Sequence, residues 1–514
     1  MTPLLNRWRA ALVETLGLAG VFAVLWYLRS WNLMIGDGEF VCKQTLNEVA
    51  FPITLSRSFL SYLLYRGSFA TMHGWFDWWV EDSIALATCS AGVVFFWALN
   101  RLAGCLAKSR LAYWIYLLFP ASTWILQLFC GHIEFYSWTC ALLMACAYFS
   151  WRSLHEGLDP IWPSAAMALA AGFHSSGFFY FPALLLLPIL RTRQAGPAPG
   201  AIARPWLWYG ATLAAYLGMV MLHRSALWYV LVVGGAAIAL TAVWLVLVKN
   251  NTQAQRAWLT QPARQALMIL APWLVLLTFR ASLNIRPEPL LEHVAPFQRP
   301  YDEGAYLYMF FSWGHLYDKT MFHLWLAPIG LASLLGFWAW KQREVRENAW
   351  LVYLSHFCIW AMVWSILFYP QLRTRDWDLF ASMSIPLNLF AVGAWMMLAP
   401  RAGRWIALAM IVIHLSSTVP LIVNNSALLS VRGYCSVFYD AEPIPGDAYL
   451  RGLKLGQTPV GQANVRAGEA EINLIPTQRG YQSWAQTLML ADGEQYRFTP
   501  RFEPTQHPPV PPAP

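Results

Sequence analysis

Apolar runs long enough to cross a hydrocarbon layer recur along roughly the first 425 residues, each closed by a charged or Pro/Gly-rich break. No soluble fold tolerates that pattern, because most of the resulting helix surface has no use for water. Of the 514 residues, 58% are hydrophobic and only 12% charged, which overrides the several soluble domains that length alone would suggest. Runs at 10–28, 83–103, 111–130, 136–151, 162–174, 177–190, 205–222, 226–247, 265–282, 321–340, 349–368, 379–399 and 405–423 predict about thirteen transmembrane helices. The expected fold is an all-α polytopic membrane protein with a small C-terminal all-β domain. The 29 tryptophans and 22 tyrosines suit the interfaces such a protein must cross.

A net charge of +8 raises nucleic acid as a partner, but the Lys and Arg residues stand in short clusters between apolar runs, not along one basic face. They read instead as orientation signals. With a cytoplasmic N-terminus, every inner loop is basic: Arg7 and Arg9, Lys108 and Arg110, Arg152, Arg191 and Arg193, Lys249, Lys341 with Arg343 and Arg346, and Arg401 with Arg404. No small-residue cleavage site follows 10–28, so it is expected to be a permanent span. The eight cysteines show no CxxC or Cys/His metal spacing. Merging the two short runs around His174 would put Lys341 and Arg401 outside, so they are kept apart at a polar break.

This parity gathers the polar motifs on the outer side. They are Gly36-Asp37-Gly38-Glu39, Gly131-His132-Ile133-Glu134, the His174 break, His315 to Lys319 in a long loop, and Arg373-Thr374-Arg375-Asp376-Trp377-Asp378. Within the first long outer loop, 51–65 is expected to lie along the interface as an amphipathic helix. Asp37 and Glu39 flank a glycine that lets backbone approach a ligand, which makes either a candidate catalytic base; a solvated loop is the plain alternative. His132 and Glu134 follow the third run between apolar and aromatic pairs, where a carboxylate is costly unless it faces a polar cavity or a partner. Two residues alone are a weak metal signature, so a divalent metal is possible and its ligands unknown. Arg373 and Arg375 offer planar forks suited to phosphate, with Lys319 and His315 adding charge and Asp376 beside them; arginine–aspartate pairing that merely pins the loop is the competing account. His174 is a further candidate for the same cavity, although a lone histidine is more often structural.

From 446 to 503 short β-prone stretches alternate with turn signals, which predicts the small all-β domain, and 504–514 is a Pro-rich tail expected to be disordered.

Taken together, an acidic motif in the first outer loop, a second after the third run, paired short helices near His174 and a late basic loop resemble the GT-C superfamily of membrane glycosyltransferases over 1–425. The resemblance implies inverting transfer from a polyprenyl-phosphate-linked sugar to a lipid, polysaccharide or protein acceptor, on the periplasmic side of the inner membrane. Asp37 matches the first-loop catalytic acid, with Glu39 as its alternative. Glu134 matches the second acidic position, which binds acceptor or metal, and Arg373 and Arg375 match binders of the carrier phosphate. The stretch from Asp447 to Glu503 resembles a PEGA domain, on Gly456, Thr458-Pro459, Ala467-Gly468-Glu469, Gly480-Tyr481 and Gly493-Glu494. That implies a non-catalytic module outside the cytoplasm. A transporter or lipid flippase would also be polytopic but calls for mid-span charges and internal repeats; apart from Glu14 and Arg280, the charges sit at boundaries. A non-catalytic envelope scaffold is the third alternative.

Overall fold

The computed structural model describes residues 3–30, 38–46, 57–194, 268–280, 312–368 and 373–426, and in the C-terminal region 434–439, 441, 446–450, 453–466, 468–477, 481–490 and 495–504. The expected spans at 205–222 and 226–247 lie outside these residues. The chain forms two compact units, Met1–Arg29 with Pro52–Ile422, and Ser30–Phe51 with Val423–Pro514.

The chain is mostly helical with a small C-terminal β region. In order, the helices among the described residues are α1 (Pro3–Tyr27), α2 (Gly38–Thr45, in the second unit), α3 (Phe59–Phe76), α4 (Val80–Leu106), α5 (Arg110–Ala121), α6 (Ile125–Phe129), α7 (Ser137–His155) and α8 (Ile161–Phe173). A 3-10 turn (Ser175–Tyr180) leads to α9 (Phe181–Leu184) and α10 (Leu186–Gln194), followed by α11 (Met268–Arg280), α12 (Trp313–Leu326), α13 (Gly330–Trp340), α14 (Gln342–Glu347) and α15 (Ala349–Leu367). A second 3-10 segment (Arg373–Phe380) leads into α16 (Ala381–Leu398) and α17 (Pro400–Ser426). Polar side chains open several of these helices: Ser109, Ser312 and Asn348 each accept a first-turn amide, from Ala112, His315 and Leu351.

Helices α4, α7 and α16 form the centre of the first unit. α4 receives α1 and α3, α7 packs on α4 and α8, and α16 packs on α5, α13 and α15. Small residues permit the close approaches: a Cβ on Gly92 would meet Leu25 at 2.5 Å and Phe129 at 2.8 Å, and one on Gly172 would meet Leu60 and Leu276. Hydrogen bonds between helices tie the apolar layers together, Ser150 to Tyr353 (2.8 Å), Tyr180 with Ser382 (2.8 Å) and Trp395 to Ser333 (3.0 Å).

Among the described residues, four segments are long and apolar enough to cross a membrane: α4, α15, the stretch Asp376–Leu398 that contains α16, and α17. The bent pair α12–α13, which turns by 88°, would make a fifth. Two expected single spans are therefore broken. The run 321–340 belongs to a pair of helices that bends at Ala327–Ile329, where Asn388 Nδ2 takes up the Leu326 carbonyl at 2.8 Å. The run 111–130 breaks after Pro120, between α5 and α6. At His174 the expected polar break is present, between α8 and the 3-10 turn.

The second unit contains strands β1 (Tyr434–Tyr439), β2 (Gly446–Leu450), β3 (Leu453–Gln457), β4 (Val460–Arg466), β5 (Gly468–Pro476), β6 (Trp484–Leu490) and β7 (Gln495–Phe498). One sheet runs β4-β1-β7, with β1 antiparallel to β4 and parallel to β7; the other is antiparallel, β3-β2-β5-β6. Period-two alternation on β5 turns Ala470, Ile472 and Leu474 inward, where they meet Val437, Tyr439, Ala448 and Leu450 in one core. β1 precedes the expected boundary at 446, since its run Tyr434-Cys435-Ser436-Val437-Phe438-Tyr439 carries no turn residue to mark it as part of the domain. Thr458 ties the turn after β3 back to β2: its hydroxyl accepts from Gly446 N (2.9 Å), and its amide donates to Gly446 O (2.8 Å).

Candidate functional site

The second acidic motif lies on a short loop between α6 and α7. Gly131 adopts φ +63°, and a Cβ there would stand 2.5 Å from Arg29 Cβ and 3.3 Å from Ala85 Cβ, so both backbone and space require glycine. Arg29 is itself held, paired with Asp82 at 3.3 Å and stacked over Trp26. From α3, Tyr65 OH donates to the Glu134 carbonyl at 2.5 Å, and Ser61 donates to the carbonyls of Phe135 (3.3 Å) and Phe173 (2.8 Å). Burial first, and the Glu134 carboxylate second, push the Tyr65 phenol well above its usual range, which keeps it a donor. Ser137 closes the loop by donating to Leu128 O at 3.0 Å.

The facing element is the 3-10 segment before α16, kinked at Asp376 (φ −79°, ψ 27°). The kink leaves consecutive side chains on the same neighbour: Trp377 stacks on the His132 ring with centroids 5.7 Å apart, and Asp378 Oδ2 lies 3.1 Å from His132 Nε2. Trp377 is backed edge-on by Trp124, which stacks flat on Trp325 at 4.4 Å. Asp378 Oδ1 accepts from the Leu379 amide at 2.9 Å, which fixes the carboxylate's orientation.

His132, Glu134 and Asp378 thereby converge from segments some 246 positions apart, each exposed by 2% or less. Each contributes one potential ligand atom, and these atoms all lie within 4.8 Å of one another. Two carboxylates withdrawn from water cost several kcal/mol each, roughly, unless cations, hydrogen bonds or a metal compensate. A set of one imidazole nitrogen and two carboxylate oxygens fits a divalent ion.

The other sequence candidates divide. His315 and Lys319 stand on α12, not in a loop, because Ser312 starts the helix ahead of them. Lys319 Nζ donates to Phe368 O at 2.7 Å and lies 3.7 Å from the Phe380 ring centre, with Asp318 and Asp376 close enough to bear on its charge. It pins the end of α15 to the 3-10 segment carrying Asp378. His174 caps the 3-10 turn, Nδ1 accepting from Ser176 N at 3.2 Å, and its ring meets Tyr136 edge-on. Asp37 lies outside the described residues, as do the side chains of Glu39, Arg373 and Arg375; the backbone of Glu39 belongs to α2 in the second unit. In the sequence Asp378 stands out only as a neighbour of Asp376 in the basic loop, and Tyr65, Trp377 and Gly131 only as members of their motifs. An aspartate two residues from another, just before a long apolar run, was the available signal for Asp378. No protein-family model and no curated protein sequence matches the chain.

Proposed function

We propose that the chain is an integral membrane glycosyltransferase of GT-C type that moves a sugar from a polyprenyl-phosphate donor to an extracytoplasmic acceptor, with inversion. The observation that carries this reading is the buried cluster of Glu134, His132 and Asp378 at helix ends inside an otherwise apolar helical unit. Ionisable groups so placed are expensive, and function is the ordinary reason to keep them. The about thirteen spans and the outer position of the PEGA-like sandwich belong to the same proposal. It is supported by the four membrane-length segments and by apolar side chains such as Trp405 and Val412 that α17 exposes.

The chemistry asks little of the protein. A phosphate leaves as a stable anion and needs no general acid, so a single carboxylate accepting the acceptor hydroxyl's proton suffices, with cations near the departing phosphate. By the GT-C resemblance, Asp37, or Glu39 in its place, takes the base role and Arg373 and Arg375 bind the carrier phosphate. Glu134 positions the acceptor, its backbone fixed by Tyr65 and its neighbour His132 held by Asp378 and Trp377.

The test is incubation of the purified full-length protein with radiolabelled polyprenyl-phosphate sugars and envelope acceptors, together with Asp37→Asn, Glu39→Gln and Glu134→Gln. Label should move to acceptor, and at least one substitution should abolish this without loss of expression or fold. Transport of a substrate with no transfer, or full transfer by all three variants, overturns the reading.

A further inference from the structure

We infer that His132, Glu134 and Asp378 bind one divalent metal ion of the manganese–zinc class. All three side chains are buried, they come from two elements independently braced against the rest of the unit, and their ligand atoms already share a 4.8 Å sphere. Around an ion with bonds of about 2.0–2.2 Å, neighbouring ligand atoms stand about 3 Å apart and opposed ones about 4.2 Å. Closing onto the ion therefore takes shifts of up to about one ångström per ligand atom. Asp378 has no cationic partner among the described residues other than His132, and His132 Nδ1 has no hydrogen-bond partner among them. The plain alternative is a His132–Asp378 hydrogen bond with no ion between them.

The donor types select the ion. An all-oxygen set suits magnesium or calcium, whereas an imidazole among carboxylates favours manganese or zinc, and three protein ligands leave positions open for water or substrate oxygen. Gly131 and Tyr65 act as positioning residues, since they hold the backbone on either side of His132 and Glu134.

The experiment uses the full-length protein in detergent, stripped with chelator and titrated with Mn²⁺ alone, followed by electron paramagnetic resonance and elemental analysis. About one equivalent should bind, Zn²⁺ should displace it and a tenfold excess of Mg²⁺ should not. Pulsed spectra of the Mn²⁺-loaded protein should carry coupling to an imidazole nitrogen, a readout that needs no variant. Glu134→Gln and Asp378→Asn should each weaken uptake at least tenfold, and His132→Cys should shift preference from Mn²⁺ toward Zn²⁺; His414→Gln, which alters a buried imidazole elsewhere, should bind as the parent does. Folded parent protein that takes up less than about a tenth of an equivalent, or that binds Mn²⁺ without nitrogen coupling, overturns the inference. So does unchanged uptake by folded Glu134→Gln and Asp378→Asn. Because no sugar donor is present, uptake and transfer can fail separately.

Discussion

The sandwich and the helical unit treat ionisable side chains in opposite ways. Among the described residues of the sandwich no carboxylate, imidazole or cation is buried; its core is Val437, Tyr439, Ala448, Leu450, Ala470, Ile472, Leu474, Leu490 and Phe502. The helical unit buries His132, Glu134, Asp318, Lys319 and Asp378, although the apolar side chains around them give no solvation in return. A core that exists only to hold a fold avoids charge, since a hydrophobic replacement of similar volume is often neutral or better. The contrast assigns the buried charge to the helical unit and leaves the sandwich core a packing problem solved by period-two alternation. Substitutions of like kind in each unit are the way to break that assignment.

The largest expected effect is on Glu134. Glu134→Gln keeps the shape and removes the charge, and on the proposed reaction it should lower the transfer rate by about 10²-fold, as misplacement of a bound reactant typically does, measured with radiolabelled donor. Next is Ile472→Ala in the sandwich core, where truncation of a buried aliphatic chain costs about 2–5 kcal/mol. It should lower the unfolding midpoint of the sandwich in a thermal melt and leave the rate per folded molecule intact. Were Ile472→Ala to abolish transfer in folded protein while Glu134→Gln did not, the division of labour would be reversed.

How much of this was legible in the residues varies by element. Hydropathy marks the apolar segments α4, α15, α16 and α17 because each belongs to an unbroken stretch long and apolar enough to cross a membrane, and alternation marks β5 because its inward set is unmixed. It could not give the bend at Ala327–Ile329 or the gap after Pro120, since a run of apolar residues reads the same whether or not its helix continues; what decides is a tertiary partner, such as Asn388 for the Leu326 carbonyl. His132 and Glu134 were visible as polar residues in an apolar setting. Asp378 became significant only through its 3.1 Å approach to His132, a pairing of distant positions that spacing along the chain does not encode. For Lys319, charge suggests a phosphate ligand, and the structure adds what the residues alone do not show: its ammonium meets the Phe368 carbonyl and the face of Phe380.

Gly131→Ala sharpens the comparison at a smaller scale, because it perturbs the cluster without touching a ligand. The added methyl meets Arg29 Cβ on a backbone at φ +63°, so a cost of about 1–3 kcal/mol is expected, with weakened Mn²⁺ uptake as the loop carrying His132 shifts. Gly104→Ala, which meets no atom within 4 Å inside α4, is the matched control and should leave the uptake unchanged and the melt unchanged or slightly raised.

The smallest expected effect is Glu471→Gln, the same chemical change as Glu134→Gln made on an exposed position of β5. Glu471 faces water and accepts a hydrogen bond from Asn473 Nδ2 at 3.1 Å, a contact that solvent replaces at little cost. Its stability should stay within about 0.5 kcal/mol of the parent, with transfer and Mn²⁺ uptake unchanged. The value of so small an effect lies in its pairing. A carboxylate matters to chemistry when its environment makes its charge costly to hold, and Glu134 and Glu471 differ in that respect before they differ in any other. If the exposed glutamate proved as sensitive as the buried one, burial would no longer be a guide to the site in this molecule, and the cluster at His132 would lose the ground on which it was singled out.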